Sequence, residues 1–192
     1  MRETVVDGKT KLAPMQIGPA PAPIDPGVRI GHVHLKVADL ERALAFYCGV
    51  LGFGLTQRVR GAAFISAGGY HHHIGLNTWE SYGGSPPVLG STGLYHLAIL
   101  YPTRARLADA LRRLMEANIP LEGASDHGVS EALYLRDPDD NGVELYWDRP
   151  KEQWPHTGDG KLAMVTERLD LADLLAELQR ARDAETTPAP VR

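Results

Sequence analysis

Two histidines and a glutamate occupy matching places in this 192-residue chain: His32 in RIGHVHLKV, His96 in YHLAIL and Glu144 in GVELYWD. Two imidazoles and one carboxylate on one side of a divalent ion leave its opposite positions open. That is the facial triad of non-haem Fe(II) oxygenases, whose open positions take substrate and dioxygen. Glu144 lies in the apolar context VELYW, where an unpaired buried carboxylate would be costly and a metal partner relieves the cost. Gly75, in HIGLNTW, is the repeat counterpart of Glu144 and offers no side chain, so the fourth corner is expected to be clear. The tract Tyr70-His71-His72-His73 runs directly into that corner, and imidazole is suited to proton transfer near neutral pH. Strict strand alternation puts His71 and His73 on the face of Gly75.

The elements that must position these residues form a degenerate repeat. In the first half RIGHVHLKV is a strand, and Asp39 caps a helix with Leu40, Ala43, Leu44 and Tyr47 at helical spacing. Strands are expected over 55–59, 62–66 and 72–77, followed by the Gly/Ser/Pro-rich linker ESYGGSPPVLGSTG. The second half repeats the order. A strand spans 95–100, and Pro102-Thr103 opens a helix carrying Leu107, Leu111 and Leu114. Strands then follow near Leu121, over 132–136 and over 142–147. The class is α+β: two βαβββ modules, 28–80 and 93–150, curled into one cup-shaped mixed sheet where His32, His96 and Glu144 would converge. An extended arm precedes them over 1–27. An extension over 151–192 carries a helix at about 170–183, whose leucine stripe (Leu171, Leu174, Leu175, Leu178) must pack on the domain or on a second subunit.

Other readings are set aside on composition. A net charge of -4 and a pI near 6.0 give no basic footprint for nucleic acid. The longest apolar stretch, Ala43 to Leu55, is broken by glycines and too short to span a bilayer. With no apolar leader in MRETVVDGKTKLAPMQ, the expectation is a cytoplasmic protein. The lone Cys48 excludes an intrachain disulfide and reads as packing. The segment from Asp137 to Gly142 superficially fits a calcium loop, but strands flank it where an EF-hand needs helices, so it reads as a hairpin turn.

GHVHLKVADLERALAFYCGVLGF, the returning His96 and RDPDDNGVELYWD together resemble the vicinal oxygen chelate (glyoxalase/bleomycin resistance/dioxygenase) superfamily, nearest its extradiol, catechol 2,3-dioxygenase-like branch. The resemblance covers about residues 28–150. It implies Fe(II) on His32, His96 and Glu144, with Mn, Zn or Ni as alternatives, and a small aromatic diol and dioxygen as substrates. A His-His-x-x-small pattern in that branch selects His72 as the acid–base residue. A tyrosine ten residues before the glutamate ligand is Tyr134, and the histidine upstream of it is His127 at a shorter spacing; both would orient and deprotonate the substrate hydroxyl. His34 and Tyr146 are further candidates for the pocket lining. Glyoxalase I, in the same superfamily, takes four protein ligands, and Gly75 departs from that pattern. The alternatives are another metal-dependent lyase or isomerase of the superfamily and a drug-sequestering binding protein. A homodimer is compatible with the leucine stripe.

Overall fold

The computed structural model describes residues 4–6, 9–11 and 22–186, so much of the arm expected over 1–27 and the tail beyond residue 186 fall outside the described residues. The chain divides into two units, residues 1–31 and 32–192. In the first, β1 (Thr4–Val6) and β2 (Lys9–Lys11) pair antiparallel.

The second unit opens with β3 (Val33–Lys36) and α1 (Leu40–Leu44), which runs on as a π-helical turn over Ala45–Val50. The carboxylate of Asp39 accepts from the backbone N–H groups of Glu41 and Arg42 at 2.8 and 3.1 Å, satisfying donors that the first helical turn leaves free. Gly52, at φ +89°, supplies the left-handed turn into β4 (Gly54–Val59). Next come β5 (Ala62–Ser66) and β6 (Ile74–Asn77). The second half repeats this with β7 (Leu97–Leu100), α2 (Arg104–Glu116), β8 (Gly123–Asp126), β9 (Ser130–Arg136) and β10 (Gly142–Asp148). Thr103 caps α2 through its hydroxyl, which accepts from Arg106 N at 3.2 Å. The extension adds β11 (Glu167–Arg168) and α3 (Leu171–Thr186). Among the described residues no helix is long and apolar enough to cross a membrane.

Both halves share one strand order, first–fourth–third–second, with the first and fourth strands parallel and the others antiparallel. The α+β class and the repeat are therefore as the sequence indicates. The single cup-shaped sheet is not: the described strands of the two modules form separate four- and five-stranded sheets, the second extended by β11. In each, the strand after the histidine is an edge. The halves associate instead through their helical sides, in one core that includes Leu35, Phe46 and Tyr47 from the first and Leu107, Leu111 and Leu114 from the second.

The turn between β9 and β10, with Asp140 at φ +65°, is the hairpin expected in place of a calcium loop. Its carboxylates clasp the first half. Asp137 accepts from the buried Tyr47 hydroxyl at 3.0 Å, and Asp139 accepts from Ala38 N and Arg42 Nη2 at 2.8 and 2.6 Å. Burial and the Asp137 charge both push the Tyr47 hydroxyl well above the ordinary phenol range. The leucine stripe of α3 packs on its own domain, with Leu174 fully buried and Leu171, Leu175 and Leu178 against the same core. Arg104 ties this helix down, reaching Glu131 at 2.8 Å and Asp173 at 2.9 Å.

Candidate functional site

The second half gathers four of the candidate residues. His96 immediately precedes β7, and β10 runs parallel to that strand with Glu144 beside Ala98. This register sets His96 Nε2 2.9 Å from Glu144 Oε2. Tyr134 lies directly across the β9–β10 ladder from Glu144 and donates its hydroxyl to Oε1 at 3.0 Å. The hydroxyl oxygen is also 2.8 Å from His127 Nε2. His127 in turn sits on the extension, its Nδ1 being 3.0 Å from the Val165 carbonyl. A tyrosine hydroxyl has one proton and an imidazole in its neutral form has one N–H. With Nδ1–H donated to Val165, neutral His127 can only accept at Nε2, so Glu144 and His127 compete for the Tyr134 proton. Protonated His127 satisfies the whole line: Nε2–H donates to the hydroxyl, which donates to Glu144. Burial, then the adjacent carboxylate, raises the Tyr134 pKa above that of free phenol. A cavity of about 360 Å³ opens beside His96, His127 and Tyr134, within the size range of small-molecule sites.

The first half gathers the rest. Ligand nitrogens of His32, His34 and His72 lie within 4.8 Å of one another, the only such group of three His, Cys, Asp or Glu among the described residues. The His32 and His72 ring centroids are 4.3 Å apart. Buried His72 Nε2 has no hydrogen-bond partner, while Nδ1 of His71 and of His72 are 2.8 Å apart. Burial, then the His32 and His71 charges, lowers the His72 pKa from the ordinary imidazole value. His73 is turned to Ser66, with Nδ1 3.0 Å from the Ser66 hydroxyl. Alternation thus misplaces this tract, because β6 begins only at Ile74 and the three histidines precede it on irregular backbone.

Gly75 is not a clear corner. Register pairs it with His34, and a Cβ there would lie 2.7 Å from the His34 ring. The two halves therefore exchange large for small: His34 stands over Gly75 in the first, and Glu144 beside Ala98 in the second. The structure brings His96, Glu144, Tyr134 and His127 together, and His32 with His72. It does not bring His32 to His96 and Glu144: the ring neighbours of His32 are His34, His71 and His72.

The donors fit a borderline divalent ion. Two imidazoles and a carboxylate suit iron, zinc, nickel or manganese, and His96 Nδ1 and His72 Nε2 are buried polar atoms with no protein partner. Sequence reasoning missed the anchoring of His127 by Val165, which lies 38 residues away with no local signal. It also missed Glu131, buried between Arg104 and Arg149 at 2.8 and 2.9 Å.

The model of the Glyoxalase/Bleomycin resistance protein/Dioxygenase superfamily matches residues 29–145. The chain belongs to this superfamily, and its fold is the vicinal oxygen chelate fold. A catechol-2,3-dioxygenase of Bacillus subtilis (strain 168) is 42% identical over 161 residues, covering 84% of this chain and 55% of that protein. A biphenyl-2,3-diol 1,2-dioxygenase of Rhodococcus globerulus is 31% identical over 125 residues, covering 62% and 63%. The chain thus spans about half to two thirds of the length of these superfamily relatives. The crystal structure of a lactoylglutathione lyase from Agrobacterium tumefaciens superposes with a TM-score of 0.51 at 24% identity, over 64% of this chain and 96% of that one, a likeness of fold alone.

Proposed function

We propose that this chain is a metal-dependent extradiol dioxygenase that opens a small catechol-type ring next to its diol, with dioxygen as co-substrate. The observation that carries this reading is the line His96–Glu144–Tyr134–His127, in which one carboxylate adjoins both an imidazole and an acid–base pair. The likeness to two aromatic-diol dioxygenases supports it. Fe(II) on His96 and Glu144, with His32 brought to them as the third ligand, would supply a Lewis acid that acidifies the diol and a binding place for dioxygen.

The chain's own groups have separate tasks. Tyr134 and His127 orient the substrate and take a hydroxyl proton; His127 stores it, since the Val165 carbonyl fixes the ring and leaves Nε2 as acceptor. His72, beside His32 and biased toward its neutral form, stabilises charge developing on oxygen and returns a proton. The His34 ring over Gly75 blocks a fourth protein ligand, which favours this reading over a four-ligand lyase. The catalytic unit spans 28–150, with a supporting extension over 151–192, in a cytoplasmic protein.

The test is anaerobic loading with Fe(II), then exposure of a panel of catechols to air. Oxygen uptake with a yellow semialdehyde product is expected. Protein with stoichiometric iron that consumes no oxygen with any diol sinks the reading.

A further inference from the structure

The first half carries one imidazole more than the reading above uses. His32, His34 and His72 offer ring nitrogens that all lie within 4.8 Å of one another. Imidazole nitrogens on a tetrahedral zinc stand about 3.4 Å apart, and their ring centres about 5 Å. The three ring-centre separations here are 4.3, 5.4 and 5.7 Å. Closing on an ion therefore asks each nitrogen to move by less than about 1 Å. His32 and His34 are exposed, so both rings have room to turn. His34 reaches this position because Gly75 lacks a Cβ, which would lie 2.7 Å from the ring.

The surroundings are those of ligands. Nδ1 of His71 and of His72 are 2.8 Å apart, so one of the two rings carries the shared proton. With the proton on His71, neutral His72 would carry a buried Nε2–H with nothing to receive it, and orphaned buried N–H groups are rare. With the proton on His72, its Nε2 is a bare lone pair. A histidine that donates through one nitrogen and keeps the other bare has the arrangement of a metal ligand. Phe64 lies 5.0 Å from the His72 ring and 5.9 Å from His34, and Trp79 lies 6.3 Å from His34. This apolar backing lowers the dielectric around the donors.

The donor set selects the ion. All three donors are imidazoles, with no carboxylate or thiolate among them. Oxygen-seeking ions such as magnesium and calcium gain little there, and zinc, copper and nickel rank above iron(II). His96 with Glu144 adds a carboxylate to an imidazole, and His32 is wanted by both sets.

We propose that His32, His34 and His72 form a cation site of their own for a zinc-class divalent ion, and that filling it inhibits the chain by taking His32 and His72 away from the reaction. The site needs residues of the first half alone. Its inhibitory role rests on the ligand set of the preceding reading.

Cobalt(II) and zinc titrations of the metal-free full chain test it. A chain with His96→Asn and Glu144→Gln lacks the other set. It should still bind one cobalt, seen in visible absorption, and release it to zinc. Adding His34→Ala should weaken that binding by more than ~100-fold, beyond the cost of outer-shell changes. No cobalt in the first chain, or unchanged affinity without His34, overturns the site. If the first chain does not fold, Glu144→Gln alone serves as the background, and His72→Asn can replace His34→Ala.

With iron-loaded wild-type protein, added zinc should stop oxygen uptake on a catechol. Measured against its own zinc-free rate, His34→Ala should need at least ~10-fold more zinc for half inhibition. An unchanged half-inhibiting concentration places the zinc effect at His96 and Glu144 and overturns the inhibitory role. If iron-loaded protein consumes no oxygen with any diol, the dioxygenase reading and the inhibitory role fall together, while the cobalt titration still decides the site.

Discussion

The two modules share strand order and helix placement, yet their chemistry differs. In the second, a carboxylate organises its surroundings: Glu144 fixes the Tyr134 hydroxyl, Tyr134 adjoins His127, and His127 is held by a carbonyl from the extension. In the first, basic rings face one another. His32, His34 and His72 have no acidic partner among them, and His72 keeps a buried nitrogen unbonded. One fold has thus produced a half organised around a carboxylate and a half built of imidazoles, with an unbonded ring nitrogen in each. Preorganisation suits groups that move protons, and unbonded nitrogens suit groups that wait for a cation.

The strongest way to break this contrast is to remove its centre. Glu144→Ala should reduce both bound iron and oxygen uptake by more than ~100-fold, since ligand loss exceeds the roughly 10–100-fold effects of outer-shell changes; metal analysis and an oxygen electrode check it. Tyr134→Phe should leave the iron in place and lower kcat by about 100-fold, the lower range for a lost acid–base group. A fall in iron content with that variant would make Tyr134 a support for the ligand and nothing more. Tyr47→Phe tests the junction between the halves. It removes a buried hydrogen bond to a carboxylate and should lower stability by about 2 kcal/mol in denaturant titration, with metal stoichiometry unchanged. Gly75→Ala should destabilise by about 1–2 kcal/mol through overpacking against His34. A second change, His34→Ala, should relieve most of that loss, and the double-mutant cycle measures the coupling.

The smallest effect concerns pH. Folding lowers the His72 pKa, so below the ordinary imidazole value of about 6.5 the unfolded chain takes up the proton more readily than the folded one. Stability of the metal-free protein should therefore fall as pH drops through this region and recover on the way back up. His72→Asn should flatten that part of the melting-temperature profile.

What was legible in the sequence was local or repeated. The caps at Asp39 and Thr103, the hairpin at Asp137–Asn141 and the pairing of His96 with Glu144 follow from spacing, strand period and the internal repeat. How the modules pair was not legible, because the repeat fixes each sheet and says nothing of which edges or faces meet. That choice is made by long-range contacts such as Tyr47 with Asp137, 90 residues apart. His72 escaped the alternation argument because its backbone is irregular, and His127 found its anchor in a segment whose sequence carries no chemical signature.

The exchange of His34–Gly75 for Ala98–Glu144 also constrains how such a chain could change. Placing a carboxylate at position 75, the one step that would give both modules a similar ligand, meets the His34 ring at once. Growth at position 75 is therefore coupled to position 34, whose exposed ring has to swing aside or be replaced by a smaller group. While the His34 ring stands over Gly75, any larger side chain at position 75 requires that exposed ring to move first.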